Sequence, residues 1–226
     1  MELMFDNANL ETLQRFAEIY PYVGITSNPT IIKAEGKLDF FDHMRKIRAL
    51  IGMDRSLHVQ VVSTNSVDII KEAQKLVEKL DKNVYIKIPV TEEGLKAIKV
   101  LKAQGFNITA TAIYTKIQGL LAIAAGADYI APYFNRIEKR GEFPSDIIAT
   151  FRADIDFSGA KTKILAASFH SGEQVIKALQ AGADSITLQP KLLKEMLCAD
   201  YIDKAVEVFA DDWRTSQGFE NLLACE

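Results

Sequence analysis

Along the chain, short apolar runs alternate with longer segments whose apolar residues recur at three- and four-residue steps. The first pattern is that of buried strands and the second that of amphipathic helices. Strands are expected at Glu2–Asp6, Val23–Asn28, His58–Val62, Val84–Val90, Asn107–Ile113, Tyr129–Phe134, Lys163–Ser168 and Ser185–Gln189. Between them lie LETLQRFAEIY, FFDHMRKIRALIG, SVDIIKEAQKLVEKL, EEGLKAIKVLKAQG, KIQGLLAIAAGA, SDIIATFRADI and GEQVIKALQAGA. Several of these end at glycine, a helix stop. Strands alternating with helices imply βαβ units and a parallel sheet, and eight of them point to a closed single-domain (βα)8, or TIM, barrel. The barrel is expected over residues 1–200. A further helix, from about Tyr201 to Asn221, carries Val206, Phe209 and Trp213 on one face and lies outside the eight-fold count. With the tail to residue 226 it belongs to the same domain, and its stripe must dock on the barrel bottom or on a neighbouring subunit.

Side-chain alternation then assigns faces, because successive strand residues point to opposite sides. In VYIKIPV, from Val84 to Val90, the aliphatic Val84, Ile86, Ile88 and Val90 share one side. Tyr85, Lys87 and Pro89 share the other, so a lysine is directed into the barrel. The same test turns Asp6, Thr26, Asn28, Gln60, Thr109, Thr111, Tyr133, Thr187 and Gln189 inward. Ser168 is ambiguous, since it shares a side with Ile164 and Ala166. Singly, each has a plain structural explanation: Asn28-Pro29 is a common turn, Asp6 a turn former, Tyr133 ordinary packing. Together they conflict with the branched apolar interior of a purely structural barrel, because buried polar groups are costly unless satisfied. They also gather toward the strand C-terminal ends, where barrel active sites lie.

Composition narrows the classes. Of 226 residues 48% are apolar and 25% charged, with a formal net charge of −3. That balance gives no sign of a nucleic-acid partner, which shows as a clustered basic excess. The basic groups Arg45, Lys46 and Arg48, and Lys139 and Arg140, read as solvated helix faces or loop ends. Two cysteines, Cys198 and Cys225, form no CxxC, and the three histidines show no metal-ligand spacing, so no metal is expected. The opening MELMFDNANL lacks the pattern of a signal peptide, and GLLAIAAGADYIAP is too short for a membrane span. The expectation is a cytoplasmic protein.

A lysine in an apolar pocket loses its charge more readily, because desolvation disfavours the ammonium. The neutral amine attacks a carbonyl to form a Schiff base, an electron sink that lets a neighbouring carbon–carbon bond break or form. Tyr133, with Gln60 and Thr111, would hold the water that moves the proton; Asp6 and Asn28 would meet substrate hydroxyls or the amine. Arg136, just beyond the sixth strand, and Ser168 with His170 at the end of the seventh suit a phosphate, which barrels often bind on these last loops.

These residues resemble the transaldolase family, and within it the fructose-6-phosphate aldolases. The resemblance runs through FDNAN, GITSNPTII, VQVV, IKIPVTEEGLKAIKVLKAQG, TATAIY, QGLLAIAAGADYIAPYFNRI, AASF and DDW. It implies Lys87 as the Schiff-base lysine, Asp6 and Asn28 as its polar neighbours, and Arg136 and Ser168 on the sugar phosphate; Thr26, turned inward on the second strand, is expected to bind substrate with Asn28. Transaldolases of this pattern carry glutamate at the place of Gln60 and phenylalanine at that of Tyr133, so the tyrosine–glutamine pair resembles the aldolase version. It further implies no cofactor, sugar-phosphate or hydroxyketone and aldehyde substrates, and a homo-oligomer, a decamer of pentamer rings built through an exchanged C-terminal helix. The chain departs from the pattern at His170, where the family often has lysine or arginine. Two other readings stay open: a transaldolase that transfers the three-carbon unit, and a non-catalytic sugar-phosphate-binding barrel.

Overall fold

The computed structural model describes residues 1–197 and 200–225. The chain forms two compact units, Met1–Pro190 and Lys191–Glu226. In the first, eight parallel strands close into a barrel in sequence order, the last pairing with the first. The strands are β1 (Glu2–Asp6), β2 (Gly24–Thr26), β3 (Ser56–Gln60), β4 (Tyr85–Pro89), β5 (Asn107–Ile113), β6 (Tyr129–Pro132), β7 (Lys163–Ala166) and β8 (Ser185–Leu188). Helices α1 (Leu10–Ala17), α2 (Pro29–Ala34), α3 (Phe40–Ile51), α4 (Ser66–Lys79), α5 (Glu92–Ala103), α6 (Lys116–Ala124), α7 (Phe134–Glu138), α8 (Pro144–Ser158) and α9 (Gly172–Gln180) alternate with them. Then follow α10 (Pro190–Leu197), α11 (Asp200–Gln217) and a 3₁₀ turn at Leu222–Ala224. Among the described residues no helix is long and apolar enough to cross a membrane. Cys225 is exposed, and Cys198 lies outside the described residues.

The expected fold is therefore the observed one, with corrections at the strand ends. β2 stops at Thr26 instead of Asn28, because Asn28 turns to cap α2. β6 stops at Pro132 and β7 at Ala166, so Tyr133, Phe134 and Ser168 lie beyond the strands and keep only a bridge between Tyr133 and Ala167. The apolar pattern runs on past each end because these residues stay packed while the backbone has already turned. The short helices α2 and α7 fall inside those turns, and neither shows a repeat long enough to read.

Most helix starts are capped by the residue type the chain supplies there. Asn9, Asn28, Asp39, Asn65, Thr91, Thr115 and Ser171 each accept a backbone N–H of the first turn, an interaction worth about 1 kcal/mol apiece. All but Asp39, which follows α2, lie within a few residues of the C-terminal end of a strand, so they fix the loops that surround the barrel mouth.

The two faces of the strands divide the core. Phe5, Ile25, Val59, Ile86, Ile88, Ile108, Ala110, Ile130 and Ile164 are buried toward the helix layer. Inside, the N-terminal end of the barrel is filled by Met4, Tyr129, Leu165 and the partly buried Tyr85. His58 belongs to this layer. Its ring stacks on Tyr85 at 4.6 Å and meets Tyr129 edge-on at 5.2 Å. Its two nitrogens pair with Thr109 Oγ1 at 2.8 Å and Ser56 Oγ at 2.9 Å. Burial, with the nearby Lys87 charge, holds the imidazole neutral, its pKa well below the ordinary value. Gly24 makes room for this arrangement, since a Cβ there would stand 2.1 Å from Ser56 Oγ. Below, Glu2 pairs with Lys163 and accepts a hydrogen bond from Tyr129 Oη at 3.2 Å.

Candidate active site

At the opposite end, the C-terminal ends of the strands surround a cavity of about 300 Å3. Nine of the residues singled out from the sequence line it: Asp6, Asn28, Lys87, Tyr133, Arg136, Ser168, His170, Thr187 and Gln189. Lys87 is buried, with 4% of its surface exposed. Desolvation pushes its pKa down, and the Asp6 carboxylate pulls the other way. Asp6 is itself raised by burial, against the opposing pull of Lys87 and a hydrogen bond from Thr26. Burial thus works against the charge on both groups, and for the lysine it favours the neutral amine, which is the nucleophilic form.

Two threonines stand behind these groups. Thr26 Oγ1 donates to Asp6 Oδ1 at 2.6 Å and lies 2.7 Å from Thr187 Oγ1. Thr111 Oγ1 pairs with Tyr133 Oη at 3.1 Å. Burial raises the Tyr133 pKa, so the phenol keeps its proton. The Arg136 guanidinium lies over the Tyr133 ring, 5.0 Å from its centroid, and donates to Tyr114 Oη at 3.1 Å. Asn28 has a second duty as the cap of α2: its Oδ1 accepts from Thr30 N at 2.9 Å and Ile31 N at 3.1 Å.

Gln60 is placed differently. It is level with Lys87 in the β3–β4 register. It lines two neighbouring cavities, of about 450 and about 300 Å3, and is not among the residues bounding the Lys87 cavity. Its Oε1 is buried with no hydrogen-bond partner among the described residues. The larger of these cavities is walled by Ile32, Phe40, Phe41, Val61 and Leu76 and contains neither Lys87 nor Asp6. We place the chemistry in the polar cavity for that reason.

Two loops at the mouth share one construction. β5 gains an extra residue against β6, a bulge at which Ala112 takes φ 55°. Ser168, just past β7, takes φ 63°. Three residues after each stands a helix cap, Thr115 or Ser171, and six residues after each a glutamine, Gln118 or Gln174. Gln118 Oε1 accepts from Tyr114 N and Thr115 N at 2.9 and 3.2 Å, and its Nε2 donates to Val90 O and Ala112 O at 2.9 and 3.4 Å. Gln174 Oε1 accepts from His170 N at 2.8 Å, and its Nε2 donates to Asn135 Oδ1 at 3.2 Å and Glu138 Oε2 at 2.6 Å. A left-handed conformation costs a residue with a Cβ about 1–2 kcal/mol, so it persists where its surroundings hold it.

Several residues in or behind the barrel mouth and its floor escaped the sequence reading. Lys139 was read as a solvated loop end, yet it borders the cavity with Arg136; a spacing of three along α7 and its cap was the available signal. His58 shares the inward face of β3 with Gln60, which alternation alone would have disclosed. Gln118 and Gln174 gave only the capping-box spacing. Among the described residues no three His, Cys, Asp or Glu side chains gather as a metal site would need.

Fold and cavity together define a parallel-barrel protein with a buried amine facing a carboxyl at the catalytic end of the strands. Sequence comparison agrees: the family model described as Transaldolase/Fructose-6-phosphate aldolase matches residues 3–221. The chain is 46% identical over 222 residues to a probable fructose-6-phosphate aldolase of Streptococcus pneumoniae, covering 98% of this chain and 100% of the relative. This chain belongs to the transaldolase/fructose-6-phosphate aldolase family.

Proposed function

We propose that the protein is a Schiff-base aldolase that cleaves fructose 6-phosphate reversibly to dihydroxyacetone and glyceraldehyde 3-phosphate. The observation that carries this reading is Lys87: a lysine buried on the inner face of β4, with its pKa lowered, beside Asp6 in a polar cavity. The neutral amine adds to the C2 carbonyl and water leaves, giving an iminium. The C4 hydroxyl then loses its proton, the C3–C4 bond breaks, and its electron pair moves toward the iminium nitrogen to leave an enamine. Glyceraldehyde 3-phosphate departs; protonation of the enamine at C3 and hydrolysis release dihydroxyacetone and restore the amine. Tyr133, protonated and paired with Thr111, is the donor and acceptor on the departing side. Asp6 and Asn28 meet the hydroxyls of the ketone half. Arg136 and Ser168, with Lys139 and His170 at the rim, receive the phosphate.

The protein acts in the cytoplasm as a homo-oligomer. In support of the latter, α11 exposes Ile202, Val206 and Phe209 along one face, at 37, 60 and 69% of their surface. A single-chain mass in solution would contradict it.

The function is tested by incubating the protein with fructose 6-phosphate and borohydride. The expected product is a reduced three-carbon adduct on Lys87, found by mass spectrometry, with free dihydroxyacetone appearing when no acceptor aldehyde is added. An adduct that forms while dihydroxyacetone is released only after an acceptor is supplied would make the protein a transferase. Absence of any adduct would refute the Schiff base.

A further inference from the structure

We infer that Gln174 is a positioning residue that sets the preference for a phosphorylated aldehyde, by holding the Ser168–His170 loop against α7. The inference rests on the reading above, that Arg136 and Ser168 receive the phosphate. Those two groups come from different elements, and neither anchors the other directly. What joins them is a closed circuit of hydrogen bonds. Asn135 N donates to Ser168 O at 2.9 Å, and Phe134 N to Ala167 O at 2.8 Å, tying the start of α7 to the end of β7. From Ser168 the chain runs through Phe169 to His170, whose N–H is taken by Gln174 Oε1 at 2.8 Å. Gln174 Nε2 then returns to α7 through Asn135 Oδ1 and Glu138 Oε2.

Every hydrogen-bonding group of this amide except one lone pair is used, in a side chain only 8% exposed. Ser168 is held in its left-handed conformation between two of these contacts, one at its own carbonyl and one at His170. Without Gln174 the loop loses its tether at His170 and keeps only the main-chain bonds at Ala167 and Ser168 and the packing of Phe169 on Phe134, so less opposes relaxation of Ser168 to a commoner backbone conformation. Its hydroxyl would then leave the position from which it meets the same anion as Arg136. Among the described residues, the side chains of Lys87, Asp6 and Tyr133 make no hydrogen bond to Gln174, Asn135 or Glu138, and Thr111 and Thr26 hold Tyr133 and Asp6 from the other side, so the bond-breaking chemistry stays in place.

The test compares glyceraldehyde 3-phosphate and unphosphorylated glyceraldehyde as acceptors for dihydroxyacetone. Gln174→Ala should raise KM for the phosphorylated aldehyde about tenfold, as expected for losing buried hydrogen bonds. KM for glyceraldehyde, and kcat for both, should change by less than about threefold. Gln174→Glu sets a carboxylate against Glu138 and should act alike, while Gln174→Glu combined with Glu138→Gln returns a donor and an acceptor and should recover most of the preference. This exchange also decides the matter if Gln174→Ala fails to fold. Equal losses for both acceptors, or no recovery in the exchanged pair, would overturn the inference while leaving the aldolase reading intact. A wild-type protein that couples neither acceptor would overturn the aldolase reading and this inference with it.

Discussion

The loops after β5 and β7 begin alike and end differently. Both leave the strand through a left-handed residue, and both place a helix cap and a glutamine at matching distances. Gln118 spends its donors on main-chain carbonyls of its own loop and of the neighbouring strand end. Gln174 spends its donors on side chains of α7, the helix that carries Arg136. One lock therefore holds the backbone next to Thr111, on the flank proposed to move a proton. The other ties the loop that carries Ser168 to the helix that carries Arg136, the flank proposed to receive an anion. The same local solution stands on both flanks, and the difference lies in what the amide hydrogens reach.

Substitutions on the reaction flank should therefore spare the acceptor preference. The largest effect belongs to Lys87→Met, which removes the proposed nucleophile at nearly constant volume: kcat should fall by about three orders of magnitude or more, and borohydride trapping should vanish. Trapping that persists on another lysine would move the nucleophile elsewhere. Tyr133→Phe leaves the ring under Arg136 but takes away the hydroxyl proposed as the acid–base group. It should lower kcat about a hundredfold with both acceptors while KM changes little; a loss confined to KM would make Tyr133 a binding residue. Gln118→Ala leaves buried carbonyls without donors at a cost of about 1–3 kcal/mol, readable by urea denaturation. It should also lower kcat about threefold to tenfold with both acceptors equally. A loss restricted to the phosphorylated acceptor would erase the contrast between the two loops.

The smallest effect is a displacement of pH dependence. Desolvation lowers the Lys87 pKa and the Asp6 carboxylate raises it. Asp6→Asn removes the raising contribution, so the pH at which Lys87 becomes reactive should move down by about one unit. Competitive labelling of lysines across pH, read by mass spectrometry, measures this directly. A move upward would mean that Asp6 does not act on Lys87 through its charge.

How far the chain itself discloses this arrangement depends on the range of each interaction. The barrel and the inward set of Asp6, Lys87 and Thr111 follow from alternation within single strands, which is local and survives translation from sequence to space; Tyr133 keeps its inward side although β6 has already ended at Pro132. Ser168 does not follow, because strict alternation puts it with Ile164 and Ala166; the turn at φ 63° carries it to the cavity. Its support is remote, with Gln174 and Asn135 standing 39 residues apart. Gln60 was expected to share a water with Tyr133 and Thr111. Its register beside Lys87 is local and legible, but the cavities its side chain borders are made by α2, α3 and α4, which no strand pattern describes.

Asn28 has a consequence of its own. An amide side chain is ordinarily ambiguous, free to turn either its oxygen or its nitrogen toward a visitor. Here the first turn of α2 has claimed the oxygen with two N–H groups, so only the nitrogen remains to face the cavity. The polarity of that wall is set by a helix before any ligand arrives. A hydroxyl or carbonyl brings the lone pair such a wall requires. An ammonium group at the same atom would meet hydrogens with hydrogens, so at this point of the wall a neutral helix end does what a charged residue would otherwise do.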